Sequence, residues 1–128
     1  MDFFMSGYSL AIIAVIIGSV GQIILKIGTS SYPGSIANDF FSSISSFLNI
    51  LFIPQIFIGL ACYAVSALLW IVVLSHLEVS KAYPILGLSY IFVLLLSFFF
   101  LGESLTLTKT LGSFLILFGV VLISLKVS

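Results

Sequence analysis

Charge is the first thing missing from this chain. Of its 128 residues only 6% are charged, against about 25% in an ordinary soluble domain. A water-facing surface cannot be built from so few. The four cations are all lysine and are balanced by four acidic residues, so the formal net charge is zero. No basic patch exists, which excludes nucleic acid as a partner. Cysteine is almost absent. Cys62 stands alone and can form no internal disulfide; within an apolar segment it reads as a small filler. One histidine, no paired cysteines and no His/Asp cluster leave no metal site of recognisable spacing. No nucleophile–base pair or paired acid stands out, so no catalytic residue is assigned and no cofactor is expected. A cleavable leader is missing too. The first apolar stretch has no basic segment before it and no small-residue cleavage site after it, so it is expected to stay as a span.

What the chain has is hydrocarbon: 62% of its residues are hydrophobic. A membrane span takes about 20 apolar residues at about 1.5 Å each. Four stretches qualify, at about 8–27, 53–76, 82–101 and 106–125. The expectation is an all-α membrane protein of four transmembrane helices, a single domain over 1–128, with no room for a domain outside the membrane. Pro54 suits the first turn of a helix, where its missing N–H costs nothing. The links 77–81 and 102–105 are short, so spans two, three and four are antiparallel neighbours. The link from 28 to 52 is longer. It opens with turn residues from Thr29 to Gly34. Ile36, Phe40, Phe41, Ile44, Phe47 and Leu48 then recur at helical spacing, with Asn38, Asp39 and several serines on the other face. Two readings stand: an amphipathic helix over about 36–48 lying in the membrane interface, or a polar loop resting one apolar edge on the bundle.

Four spans place both termini on one side, with Lys81 and Lys126; Lys26 and Lys109 lie on the other. The positive-inside count is balanced and does not orient the chain. Charges near hydrocarbon are costly and are candidates for function. None lies at mid-span, and Lys26 comes nearest. Gly18, Gln22 and Lys26 are spaced four apart and share a helix face. That strip can line a cavity and offer a cation to a phosphate or carboxylate. Equally, Lys26 can snorkel to the headgroups while Gly18 and Gly21 serve helix packing. The Gln22 amide needs partners that lipid cannot supply. Glu103 falls on the Lys26 side, and a pair between the two would lower the cost of each; Lys109 competes for it. Glu78 and Lys81, three apart on the opposite side, read as a solvated pair of little weight.

Span three carries Ala82-Tyr83-Pro84. Pro84 has no N–H to donate and frees the carbonyl of Ser80, a helix break of the kind found where backbone lines a cavity or packs on protein. Tyr83, Ser89 and Tyr90 can face such a cavity. Trp70, well inside span two, can line it or simply pack; Tyr63 reads as packing or an interfacial anchor. Gly112 and Gly119 lie seven apart on one stripe of span four, a surface for close helix approach and a candidate dimer seam.

Three stretches together resemble a known group: Gly18-Ser-Val-Gly-Gln-Ile-Ile-Leu-Lys26; Leu69-Trp70 with Ala82-Tyr83-Pro84; and Gly102-Glu103-Ser-Leu-Thr106 followed by Gly112 and Gly119-Val120. Their order and spacing are similar to those of the drug/metabolite transporter superfamily, in its single-repeat EamA-type members. They resemble in particular the small subunits of the aminoarabinose-phosphoundecaprenol flippase. The likeness covers about 100 residues of the spans and not the long first link. It implies a multi-pass protein of a bacterial or archaeal plasma membrane with cytoplasmic termini. It also implies a homodimer or a heterodimer with a similar four-helix subunit. The implied cargo is a polyprenyl-phosphate-linked sugar, or another anionic amphiphile, moved between leaflets within membrane lipid. Gln22 and Lys26 would meet the phosphate; Trp70, Tyr83 and Tyr90 would meet the sugar, and Glu103 is a further substrate-binding candidate. The small multidrug exporters of the same superfamily carry a carboxylate in mid-span one. Alignment through Gly21 and Lys26 puts Gly18 at that position, which argues against proton/cation exchange. A metabolite or drug exporter of the same fold and a non-transporting membrane assembly subunit remain as rival readings; an enzyme is the least supported.

Overall fold

Four helices of the computed structural model, which describes residues 2–125, are long and apolar enough to cross a membrane: Gly7–Ser30, Pro54–His76, Val79–Leu101 and Leu107–Ser124. Lys126 lies outside the described residues. In chain order the elements are α1 (Asp2–Ser30), α2 (Ile36–Ser42), α3 (Ile44–Leu51), α4 (Pro54–His76), α5 (Val79–Ile85), α6 (Leu88–Leu96), a π-helical turn (Ser97–Leu101) and α7 (Leu107–Ser124). The all-α, four-span expectation holds. Large apolar side chains such as Phe99, Leu107 and Leu115 stay more than 70% exposed, which is tolerable where the surrounding medium is itself hydrocarbon.

The α1–α4 seam is built from small residues. Gly7, Ala14, Gly21 and Gly28 recur every seven positions along α1, and Gly7, Gly21 and Gly28 each lie where an added Cβ would come within 3.1 Å of α4 or the residue just after it. A Cβ on Gly21 would sit 3.0 Å from the Gly59 carbonyl, and one on Gly59 would sit 3.0 Å from the Gly21 carbonyl. The approach is therefore reciprocal and backbone to backbone, the geometry small residues permit between spans. Ser66 of α4 locks the seam by donating its hydroxyl to the Ala14 carbonyl at 2.7 Å. Gly18 packs here too, under the Ser66 side chain.

The third span starts three residues earlier than expected and runs through Pro84 within α5. The helical ladder gives way two residues later. Leu86 and Gly87 donate to Tyr83 and Pro84 carbonyls at i→i+3 spacing, and Ser89 and Tyr90 do the same to Leu86 and Gly87. The Ser89 hydroxyl adds a second bond to the Leu86 carbonyl at 2.6 Å. Gly87 stands at the break, where a Cβ would meet Ile116 of α7 at 3.1 Å; the fourth span nests against it.

The spans form a row. α4 packs on α1, α1 on α5 and α6, and α7 on α5 and α6. Their buried core comprises Ala11, Val15, Val73, Leu77, Ala82, Ile85 and Val120. It joins the N-terminal half of α1 to the end of α4 and the start of span three, so it seals one end of the row.

The long link is helical in two pieces rather than one. Ser43 is extended (φ −162°, ψ 160°) and caps α3 by accepting from the Ser46 N–H, as Ser35 caps α2 through the Asn38 N–H. Serine favours the N-cap over a helix interior because its hydroxyl replaces a missing carbonyl. Phe41, Ile44 and Phe52 stay largely exposed while Ile50 is buried, which matches a segment whose apolar face meets lipid.

Candidate membrane-face cavity

The open end of the row lies opposite the sealed core. There the last turn of α1 and the end of span three frame a cavity of about 450 Å³ lined by Lys26, Ile27, Ser30, Ser31, Phe100, Leu101 and Glu103. Parity places Lys26 and Glu103 on one membrane side, and the structure brings both to one cavity wall. Two local features hold Glu103 there. The π-helical turn ends at Gly102, whose φ of +68° lies in the left-handed region that glycine enters freely. The Glu103 N–H then closes back on the Ser97 carbonyl at 3.2 Å. A π-turn widens the helix end and often marks a functional position.

Lys26 and Glu103 share the cavity without pairing. The one ion pair among the described residues is Lys81–Glu78 at 3.5 Å, exposed at the other membrane face. Lys109, the competing cation, spends its ammonium on the Ser104 carbonyl at 3.0 Å. The Ser31 hydroxyl donates to the Gly28 carbonyl at 3.1 Å, and Thr29 donates to the Lys26 carbonyl at 3.0 Å. These bonds satisfy part of the carbonyl set that every helix C-terminus leaves open.

Other residues singled out in the sequence are dispersed. Gln22 is exposed one turn below Lys26 and does not line the cavity. Trp70 lines a separate crevice of about 220 Å³ with Ala14, Tyr63, Ser66, Ala67 and Leu86, between α4, α1 and the break in span three. Tyr83 and Tyr90 are exposed on span three and lie outside that crevice. Gly112 and Gly119 have open space where a Cβ would stand, so within one chain they pack against nothing. A groove of about 650 Å³ lined by Leu111, Phe114, Leu115, Leu117, Phe118 and Val121 runs along the same helix. Sequence reasoning passed over Ser30, Ser31 and Ser66. The signal for Ser66 was a small hydroxyl in the middle of a charge-free span; Ser30 and Ser31 looked like ordinary turn residues.

In the linker the Tyr32 hydroxyl donates to Asp39 Oδ2 at 2.7 Å. That hydrogen bond, with some desolvation and the carboxylate's charge, raises the Tyr32 pKa above its ordinary value.

Comparison with known proteins accounts for nearly the whole chain. Residues 5–125 match the EamA-like transporter family. A relative from Proteus mirabilis, named "Probable 4-amino-4-deoxy-L-arabinose-phosphoundecaprenol flippase subunit ArnF", is 36% identical over 124 residues, covering 94% of this chain and 93% of the relative. Proteins of the same name from Yersinia enterocolitica and Photorhabdus laumondii are 39% and 35% identical, covering 95% and 94% of this chain and 96% and 98% of those relatives. No solved structure matches. The apolar spans, the open-ended row and these matches agree: this multi-pass membrane protein belongs to the EamA-like transporter family.

Proposed function

We propose that the chain is one subunit of a paired carrier that moves a polyprenyl-phosphate-linked sugar between the leaflets of a bacterial plasma membrane. The observation that carries this is the cavity at the open end of the row, where Lys26, two serines and Glu103 meet between two spans. The Lys26 ammonium and the Ser30 hydroxyl hold a phosphate and its sugar at headgroup depth. The prenyl chain stays in lipid beside the exposed apolar faces. The relatives' name supplies the substrate class.

Pairing follows from topology. Four helices in a row do not enclose a passage, and alternating access works by moving one repeat against another. The second repeat is another copy or a similar four-helix subunit, seated on the Gly112–Gly119 stripe of α7. In the assembled pair Trp70, Tyr83 and Tyr90 face the sugar, and Gln22 extends the polar strip below Lys26. With the termini cytoplasmic, the Lys26 mouth opens to the outer leaflet, where the head leaves. No acid stands in mid-span to bind and release a proton, so movement follows the lipid's own gradient and no covalent bond changes.

The test is transport in proteoliposomes, with the chain alone and with a similar four-helix subunit. A phosphoprenyl sugar becomes reachable by a membrane-impermeant label on the far leaflet, whereas a soluble sugar of the same head is not taken up. Lys26→Ala slows this by about tenfold or more, the loss expected for a charged hydrogen bond. Uptake of the soluble sugar with no movement of the lipid would replace the flippase reading with a solute carrier.

A further inference from the structure

The link between the first two spans carries an apolar surface that the bundle does not cover. Its ends are fixed at one membrane face, where α1 stops at Ser30 and α4 starts at Pro54. Inside it, α2 and α3 pack on each other through the Phe40 and Phe47 rings, edge-on with centroids 4.7 Å apart. α3 docks on α4 and buries Ile50, whereas no residue of α2 is buried. At the junction of the two, Phe41 and Ile44 stay 85% and 79% exposed. Exposed apolar patches mark interaction sites.

The position of the patch says what meets it. α4 and α7 stand at opposite ends of the row, so the link is remote from the open glycine stripe of α7, where the pairing proposed above seats a second subunit. α3 and the first turns of α4 instead share an apolar groove of about 350 Å³, lined by Leu48, Leu51, Phe52, Phe57, Leu60 and Ala61. Phe57 and Leu60 are exposed residues of a span and so face hydrocarbon. The exposed side of α3 thus runs on into the lipid-facing side of span two, and what covers the patch is the bilayer.

Charge decides which bilayer. Between Lys26 and Glu78 the only Asp, Glu, Lys or Arg is Asp39, and its carboxylate accepts from the Tyr32 hydroxyl at 2.7 Å. Interfacial helices bind partly through Lys and Arg facing anionic headgroups and partly through the apolar area they bury. The first part is missing here; the polar neighbours of Phe41 and Ile44 are Ser42, Ser43 and Ser45. What is left is apolar wedging, which needs gaps between headgroups. We propose that the α2–α3 pair is a packing-sensitive wedge: Phe41 and Ile44 enter the boundary between headgroups and acyl chains where lipids pack loosely, whatever the headgroup charge.

The experiment puts one tryptophan at the tip, Phe41→Trp with Trp70→Phe, in the full chain reconstituted into vesicles. The bilayers are fluid phosphatidylcholines of equal thickness with unsaturated or saturated chains, and the unsaturated one with phosphatidylglycerol added. In unsaturated bilayers the indole emits at shorter wavelength, is quenched by lipids brominated high on the acyl chain and is shielded from aqueous acrylamide. Saturated chains reverse all three; phosphatidylglycerol and salt change none. Adding Ser45→Lys makes insertion rise with phosphatidylglycerol, which shows that the assay reads charge. Ile44→Trp repeats the measurement at a site outside the Phe40–Phe41 ring contact. An indole open to acrylamide in every bilayer, one inserted equally in loose and tight bilayers, or one whose insertion needs phosphatidylglycerol overturns the proposal. So does an indole shielded from both acrylamide and brominated lipid, which would mean that a second copy covers the tip.

Discussion

Gly59→Ala tests the seam on which the row is built. The new Cβ would lie 2.7 Å from Leu25 Cγ and 3.0 Å from the Gly21 carbonyl oxygen, where about 3.5–4.0 Å is comfortable between carbons. Leu25 can swing aside; the Gly21 carbonyl belongs to the α1 backbone and yields only if the helices part. A gap of about 0.5–1 Å forfeits a quarter to a half of each contact it stretches, and overpacking of this kind costs about 1–3 kcal/mol. Against this, alanine is a better helix former than glycine by about 0.8–1.0 kcal/mol.

Gly112→Ala supplies the matched control. Gly59 and Gly112 are each the sixth residue of their helix, yet a Cβ on Gly112 meets nothing within 4 Å. Both variants carry the same propensity gain, so their difference isolates the steric term of about 1–3 kcal/mol. Unfolding of the dilute chain by a denaturing detergent in mixed micelles reads it directly. The signal is the fluorescence of Trp70, the one tryptophan, which lines the crevice beside α1. A Gly59→Ala protein as stable as Gly112→Ala would refute the backbone-to-backbone approach of α1 and α4.

Ser66→Ala removes the 2.7 Å bond to the Ala14 carbonyl and should lower stability by about 0.6 kcal/mol, up to about 1.7, the range for hydrogen bonds between spans; the same micelle titration checks it, and Ser66→Thr should retain most of the bond. The Tyr32–Asp39 bond contributes stability that is fully present below the ordinary phenol pKa of about 10 and is lost as pH rises through the higher folded value. Comparing phenolate absorbance against pH in the wild type and Asp39→Asn should show one tyrosine titrating earlier in the variant; identical curves would remove the bond.

Much of this architecture is legible in the sequence because hydrocarbon imposes it. Twenty apolar residues cannot be hidden, and short links leave adjacent spans no choice but to run antiparallel. Parity alone put Lys26 and Glu103 on one side. What the sequence conceals is partnership. The Gly112–Gly119 stripe looks like a packing surface, but a stripe does not say which helix it meets, and within the chain it meets none. Gly18 and Gly21 stood out in the sequence for helix packing, but the Gly7, Ala14, Gly21 and Gly28 repeat did not, and its partner Gly59 lies on another span with no register to link them. Ser43 was hidden among serines that read as a polar face, although a serine between two apolar helical runs is also an N-cap. The π-turn before Gly102 has no composition of its own; three phenylalanines and a glycine fit an ordinary helix end equally well.

The sealed and open ends of the row have one cause. The helical ladder of span three breaks just past Pro84, and the break falls beside the core that joins α1, α4, α5 and α7. On the core side of it Ala82 and Ile85 are buried. Beyond it, α6 and the π-turn run to Gly102 with side chains half-buried at most, Ser97 excepted, and it is at their far end that Lys26 and Glu103 stand apart. A break placed near the sealed end thus separates the part of span three that packs in the core from the part that runs to the mouth. Charges that would be ruinous in the core can then sit at headgroup depth, where water and a polar head share their solvation. On this reasoning the break and the charged mouth are coupled through α6 and the π-turn, and a change at Gly87, where α7 nests against the break, should alter lipid binding at the mouth without touching either charge.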